Sequence, residues 1–497
     1  MMYLIVLFWS IVFLKKLLFW VYLWQLKEYH IGRFFDHFRT HKGKRLVFNY
    51  LLLVKVLILF GIFFSAKFNL FEIKRGLVYF IGAVFLVEVL FVLKNVWQKT
   101  LKKPALTRKT ATILSTSISF GILILFVLLV FGLNITRFTF SLLFLDILAP
   151  LVFSALVLVY QPLAVILRSR IIKAAKAKRV RFRDLLVIGV TGSYGKTSTK
   201  EFLATILSEK FKVLKTKEHQ NSEIGISQCI LDELTSEHQV FVVEMGAYNR
   251  GGIKLLCDIV RPKIGVLTGI NEQHMATFGS QENIIKAKYE LIESLPQDGA
   301  AFFNAKNKYC LDLYEKTPIK KFLYGQETKI FGEENLLGAV AIAKELAMSD
   351  EEISRVLEKI GNKPPGIVKK QGIDGLIVYD ATFSANPDSV SGHLGYLESL
   401  PGKKIIVMPC LIELGKASKE VHRRIGSKIA EVCDLAIITT KDRFKEIQEG
   451  IGNTTRTVLV EIENPKEIFE KIKSFCREGD VVLLESRVPP QLIKSLL

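Results

Sequence analysis

The chain has 497 residues, enough for about three domains of roughly 100–200 residues each. Its net charge of +20 is uneven: residues 1–183 carry 27 Lys and Arg against 5 Asp and Glu, whereas the remaining 314 carry 41 against 43. The basic excess therefore lies among apolar segments, where anionic lipid explains it, and the acid-balanced remainder excludes a basic face for DNA or RNA.

Long apolar runs occupy about 2–24, 46–66, 77–93, 111–133 and 139–160. Each is near the ~20 residues that a membrane span requires. Lys15 and Lys16 interrupt the first run; their mid-run position and the further runs behind it argue against a cleaved signal peptide. Lys and Arg number 6 in 25–45, 5 in 95–110 and 8 in 161–183, but only 3 in 67–76 and 1 in 134–138. The positive-inside rule then places the N-terminus outside and everything after Tyr160 in the cytoplasm, so five spans are expected in the cell membrane. Lys55, Glu88 and Asp146 fall inside spans. They either pair with one another or snorkel, or they line a site for a polar lipid headgroup. Segment 163–183 reads as a basic helix along the inner leaflet that joins the spans to a soluble enzyme.

The stretch Val187–Leu203, VIGVTGSYGKTSTKEFL, runs from a buried strand through a glycine-rich turn into a helix. Its glycines let backbone N–H groups close around phosphate oxygens, at a helix N-terminus that favours negative charge. Gly192, Ser193, Tyr194, Gly195, Lys196, Thr197 and Ser198 form the expected nucleotide cradle. In it Lys196 reaches the outer phosphates and the Thr197 hydroxyl holds Mg²⁺. The eight-residue form of the motif wants glycine where Val190 stands; the nearest is Gly189.

Strand-like segments follow at Lys212–Lys215, Val240–Glu244, Ile264–Thr268 and Ala300–Asn304, alternating with helical patterns. This alternation predicts a parallel sheet covered by helices, with its ligand beyond the carboxyl ends of the strands. Glu244 ends one apolar run, where a carboxylate faces either a metal–phosphate group or solvent. His274 lies just past another and, read alone, is more often a surface residue than a ligand; Lys288 reads as one charge on an amphipathic helix. A second α/β region over 362–497 has strands near Leu376–Tyr379, Lys404–Met408, Leu435–Thr439, Thr457–Val460 and Val481–Leu484, with helices at 416–432 and 464–476. Lys-Pro-Pro-Gly at 363–366 reads as the hinge before it, and 441–449 as a solvated helix face. Cys229, Cys257, Cys310, Cys410, Cys433 and Cys476 form no C-x-x-C pair and read as reduced thiols.

GSYGKTSTKE, Asn221-Ser222-Glu223-Ile224-Gly225, Glu244-Met245-Gly246-Ala247, His274 and Phe278-Gly279-Ser280 leading to Ala287-Lys288-Tyr289-Glu290-Leu291 together resemble the Mur ligases of peptidoglycan synthesis. Ser384-Ala385-Asn386-Pro387-Asp388-Ser389 and Ile412-Glu413-Leu414-Gly415 are similar to the branch that adds D-alanyl-D-alanine to a UDP-muramoyl tripeptide. The resemblance covers roughly 185–497 and is patchier after Leu291. It implies ATP and Mg²⁺ as cofactors, a carboxylate phosphorylated by ATP, and an amine that displaces phosphate. It also implies that Lys196 binds the β/γ-phosphates, that Thr197 and Glu244 hold one Mg²⁺, and that His274 and a carbamylated Lys288 serve a second.

Several positions depart from the family pattern. Asn335 is kept near the adenine position, but Gly338 stands where a second asparagine is expected. A Gly-Arg pair reads Gly366-Ile367, paired aspartates read Asp380-Ala381, and Lys-Gly-Ser-Arg reads Leu484-Glu485-Ser486-Arg487. Only about 28 residues separate Asn304 from Gly332, so a small β-excursion is expected to be trimmed.

The expected architecture is a transmembrane helical region (1–162), a basic amphipathic linker (163–184), an ATP-binding P-loop α/β central domain (185–361) and a Rossmann-like α/β C-terminal domain (362–497). The expected function is a membrane-anchored amide ligase acting on a UDP-linked or lipid-linked muropeptide and an amino acid or dipeptide, with membrane lipid but no nucleic acid as partner. A membrane-bound polyglutamate-type synthetase and a degenerate ligase acting as a scaffold stay open beside it.

Overall fold

A computed structural model describes the chain except residues 69–70, 132, 218–219, 329–331, 361–366, 383–385 and 454. The expected hinge at 363–366, Gly366 and Ser384-Ala385 lie outside the described residues. The chain divides into two compact units, Met1–Leu167 and Arg168–Leu497.

In the first unit the apolar runs form helices Met2–Leu26, Tyr50–Lys67, Phe71–Trp97, Arg108–Val130 and Ile135–Val159. Among the described residues, five segments are long and apolar enough to cross a membrane. Polar side chains set several helix starts: Asn49 accepts from the Leu52 amide, Asn134 from the Arg137 amide, and Thr107 forms a capping box with Thr110. The unit buries Trp9, Phe85 and Phe138, while Phe60, Phe63, Phe91 and Phe126 are exposed. Large apolar side chains on the outside suit a hydrocarbon solvent. Lys55 is buried against Glu88 and lies 2.5 Å from Asp146, which Lys16 approaches at 2.7 Å from the other side. The charges inside the apolar helices thus pair with one another, and the lysine that interrupts the first run belongs to the same network.

In the second unit, helix Gln161–Val180 contributes its later residues to the central domain. Ala175 is fully buried there, and Arg179 donates to the carbonyls of Val260, Phe182 and Leu185. This stretch is therefore a packed strut of the α/β domain as well as a basic helix.

The central sheet comprises β1 (Leu186–Thr191), β2 (Val213–Lys215), β3 (Val240–Glu244), β4 (Ile264–Leu267), β5 (Ala300–Asn304) and β6 (Lys320–Tyr324). All are parallel, in the order β2-β3-β1-β4-β5-β6. The second sheet comprises β7 (Val368–Gln371), β8 (Ile377–Ala381), β9 (Lys404–Met408), β10 (Leu435–Ile438), β11 (Val458–Glu461) and β12 (Val481–Glu485), in the order β11-β10-β9-β12-β8-β7. Only β7 runs antiparallel to its neighbour. The apolar strands β3, β5, β9 and β12 are buried nearly throughout, as sheets covered on both faces require.

Candidate active site

Parallel pairing places the chemistry at one rim. β1 and β3 run side by side with Val190 opposite Glu244, so the acid ends its strand next to the strand that opens into the glycine-rich loop. Gly195 takes φ +74°, and a Cβ there would stand 2.4 Å from Oδ1 of Asn335. That left-handed turn, packed this closely, admits only glycine. Asn335 also accepts from the Thr199 hydroxyl at 3.1 Å, so it braces the loop and its helix from behind. Ser193 is held on both sides: its amide donates to the Gly269 carbonyl at 2.7 Å and its hydroxyl accepts from the Asn271 amide at 3.1 Å. The Tyr194 side chain packs inward, its hydroxyl accepting from Asn307 at 3.3 Å, so only its backbone faces the cradle side.

Lys196 folds over the loop, its ammonium 2.9 Å from the Gly192 carbonyl and 3.3 Å from that of Ser193. Burial lowers its pKa while the Glu244 charge holds it up. Thr197 donates to Oε2 of Glu244 at 3.0 Å, Asn221 donates to Oε1 at 3.1 Å, and the buried Lys200 ammonium lies 3.4 Å from Oε2. Burial opposes ionisation of Glu244, but Lys196, Asn221, Lys200 and Thr197 outweigh it and keep the carboxyl below its ordinary range. Lys200 stands one helical turn after Lys196; i, i+4 spacing is the sequence signal that places both on one face.

His274, in the left-handed region at φ +65°, follows β4 and stacks edge-on against Tyr248, with ring centroids 4.9 Å apart. Its Nδ1 lies 2.7 Å from Oε2 of Glu413, from the second α/β domain. Burial lowers the His274 pKa against the pull of Glu413, with the Lys288 and Lys196 charges adding to the drop. Lys288 is buried over the Phe278 ring, its ammonium 5.9 Å from the centroid, with no hydrogen bond or carboxylate partner among the described residues. Burial and then the Lys196 charge push its ammonium down to about 7. β1 lies between β3 and β4, so the loop carrying Lys196, the end of β3 at Glu244 and the segment leading to His274 share one rim, where the charges of Lys196 and Lys288 act on His274. Asn271 ties the two α/β domains beside it, donating to Asp388 at 2.5 Å and Asn386 at 3.4 Å. Ser198 sits half-buried on the first turn behind the loop. Asp380 is engaged within its own domain, 2.7 Å from the Lys370 ammonium and accepting from Thr382.

The departures from the family pattern have packing reasons. A Cβ at Gly338 would stand 2.8 Å from the Tyr324 ring, leaving no room for asparagine. Ile367 and Ala381 are buried in the C-terminal core. Glu485 is fully buried with Oε2 2.6 Å from Nδ1 of His393.

Among the described residues no group of three or more His, Cys, Asp and Glu is placed to hold a metal ion. The Thr197–Glu244 pair still fits Mg²⁺: both are oxygen donors, and Mg²⁺ habitually keeps waters and nucleotide phosphates as its other ligands.

A buried strand, a glycine-rich loop, a helix N-terminus and an acid on the adjoining strand define an α/β nucleotide-binding protein of the P-loop class. Residues 190–357 match the model of the Mur ligase middle domain, and 367–487 match that of the Mur ligase, glutamate ligase domain. The chain belongs to the Mur ligase family. The UDP-N-acetylmuramoyl-tripeptide–D-alanyl-D-alanine ligase of Synechocystis sp. is 31% identical over 278 residues, covering 50% of this chain and 60% of that one. The ligase of the same name from Bacillus subtilis is 27% identical over 334 residues, covering 60% of this chain and 72% of its own. The chain thus spans about three fifths of the Synechocystis relative. In fold it is similar to MurF from Acinetobacter baumannii (TM-score 0.59, 24% identity, 66% of this chain and 80% of that one). It is likewise similar to MurF ligase from Thermotoga maritima in complex with ADP (TM-score 0.57, 24% identity, 66% and 83%).

Proposed function

We propose that the chain is a membrane-anchored, ATP-dependent amide ligase of peptidoglycan precursor assembly, with domains at 1–162, 163–184, 185–361 and 362–497. Its five apolar helices anchor it in the cell membrane and its α/β domains lie in the cytoplasm. The observation that carries the reading is the convergence of Lys196, Thr197, Glu244, His274 and Lys288 at one rim of a parallel sheet, with Glu413 of the second domain on His274.

In this reading the glycine-rich loop, Ser198 and Lys196 hold the triphosphate, while Asn335 keeps the loop in shape. Thr197 and Glu244 hold Mg²⁺, and His274 with a carbamylated Lys288 serves a second ion. Bound Mg²⁺ supplies neutralisation of phosphate charge. A muropeptide carboxylate oxygen attacks the γ-phosphorus, and ADP departs with the electrons of the broken P–O bond. The incoming amine then attacks the acyl carbon: a C–N bond forms, the C–O bond to phosphate breaks, and the amine gives up a proton. Little covalent chemistry is asked of the protein, so positioning carries the rate. The names of the relatives support D-alanyl-D-alanine as the amine and a UDP-linked muropeptide as the acceptor. A lipid-linked acceptor is the finer version, favoured because apolar helices precede the matched middle domain.

Full-length protein in nanodiscs, given ATP, D-alanyl-D-alanine and either acceptor, is expected to release phosphate in an acceptor-dependent way. Lys196→Ala is expected to abolish that release. A variant as active as the wild type would remove the enzymatic reading and leave a scaffold; turnover with glutamate alone would favour the polyglutamate-type synthetase.

A further inference from the structure

A cleft of about 630 Å³ opens at the amino-terminal ends of β1 and β4. β1 is six residues long, so at ~3.3 Å per residue the cleft lies roughly 20 Å from the glycine-rich loop at the strand's other end. Five cations line it, Lys176, Arg179, Arg183, Arg261 and Lys263, with Asp258 as the acid among them.

Part of that charge has a structural use. Arg179 is buried and donates to three carbonyls, at 2.8 Å to Val260, 2.6 Å to Phe182 and 3.1 Å to Leu185. Lys176 is 3.8 Å from Asp258, and Lys263 is 2.8 Å from Asp298 in a solvated pair. Arg183 and Arg261 are exposed, with no carboxylate within 4.0 Å among the described residues. Helices Gln161–Val180, Gly252–Val260 and Gln281–Glu293 end near this edge. Their carbonyl ends bring about half a negative charge each, which together with Asp258 and the Asp298 partner of Lys263 still leaves the cleft positive by about one and a half charges. Helix capping therefore accounts for Arg179 and leaves Arg183 and Arg261 unused.

We propose that this cleft binds a phosphate-bearing anion, with the Arg183 and Arg261 guanidiniums as its ligands. Guanidinium forks match phosphate oxygens two at a time, and a concave site concentrates their field. The helix carrying Lys176 and Arg179 begins at Gln161, two residues past the last apolar helix, so the headgroup of an anionic lipid is the favoured source. Only that choice of source rests on the membrane reading proposed above; the anion site does not.

The test is hydrogen exchange on the full chain, read at the backbone amides of 181–185 and 258–263. Three conditions are compared: phosphatidylcholine nanodiscs, the same discs with phosphatidylglycerol, and phosphatidylcholine discs with inorganic phosphate. Phosphatidylglycerol is expected to slow exchange there several-fold, and Arg183→Gln/Arg261→Gln is expected to abolish the effect while ATP protection of 192–198 persists. Slowing by inorganic phosphate alone, lost in the same variant, supports the anion site and assigns it to a soluble phosphate. No slowing by either probe, or equal slowing in the variant, overturns the proposal, and ATP protection in the same sample shows whether the nucleotide site stands independently.

Discussion

Nδ1 of His274 lies 2.7 Å from Oε2 of Glu413, a residue 139 positions further along the chain. Facing an ionised carboxylate, Nδ1 is the donor, and burial, which lowers the His274 pKa, favours a neutral ring whose Nε2 keeps its lone pair. The Ala276 amide donates to the Glu413 carbonyl at 3.0 Å, so the C-terminal domain fixes both the ring and its loop.

Glu413→Ala removes the ring's orienting partner without touching the glycine-rich loop. The expected loss is about 10–100-fold in kcat, the range for partners that orient a ligand residue, with nucleotide affinity little changed. Acceptor-dependent phosphate release and nucleotide titration measure the two. Loss of nucleotide affinity with kcat intact would show that Glu413 acts elsewhere.

Glu244 compensates buried Lys200 at 3.4 Å as well as meeting Thr197. Lys200 also lies 3.3 Å from the exposed Glu201, so Glu244→Ala leaves this buried cation with one solvated acid, at about 3 kcal/mol, the low end for a broken buried pair. The apparent Tm of the full chain is expected to fall by several degrees, and Glu244→Ala/Lys200→Met is expected to recover most of it. Thr197→Val, which leaves the pair intact, is expected to hold Tm and lose ATP turnover.

Lys288 has a folded pKa of about 7, below the 10.5 of an unfolded lysine. Between those pH values the unfolded chain binds one more proton, so stability rises with pH. The burial penalty is full below pH 7 and fades as pH climbs from 7 towards 10.5. Lys288→Met is expected to be more stable than the wild type at pH 6–7, by on the order of 2 kcal/mol, with the gap closing at higher pH. The same shift leaves much of the amine neutral at pH 7 and able to take up CO₂. ¹³C-bicarbonate is therefore expected to give a carbamate signal in the wild type that Lys288→Met lacks.

The sequence announces what local pattern controls. The apolar runs at 240–244, 300–304 and 404–408 become strands at those bounds because burial on both faces needs no periodicity. β6 and β7, KKFLY and VKKQ, are edge strands with solvated lysines and carry no such signal. Glu244 is legible as an acid closing an apolar run. Lys288 looks like one charge of a helix face, and its burial is a tertiary fact. The links from Asn271 to Asp388 and from Lys16 to Asp146 join positions more than a hundred residues apart, which no local spacing encodes.

Gly338 shows how a lost family residue can be a packing choice. Gly338→Asn brings back the expected side chain but drives its Cβ to within 2.8 Å of the Tyr324 ring. Overpacking of this kind costs about 1–3 kcal/mol. The variant is expected to lower Tm without tightening ATP binding, and Gly338→Asn/Tyr324→Leu to recover stability. Tighter binding in the single variant would mean that the glycine, not its surroundings, weakens the nucleotide site.

The charges inside the apolar unit form a chain from Lys16 through Asp146 and Lys55 to Glu88. Asp146 touches both lysines, so Asp146→Asn deprives two cations of one partner and is expected to cost about 3–5 kcal/mol, seen as a lower Tm in detergent. Lys55→Met/Glu88→Met removes a mutually paired acid and base and leaves Lys16 with Asp146. Apolar replacement of a buried pair is often neutral or stabilising, so this double variant is expected to melt within a few degrees of the wild type. Its ligase turnover is expected to be unchanged with either acceptor, because the pair holds helices together. If the double variant melts normally yet loses turnover on the lipid-linked acceptor alone, Lys55 and Glu88 contact the headgroup after all, and structural pairing is the wrong account of them.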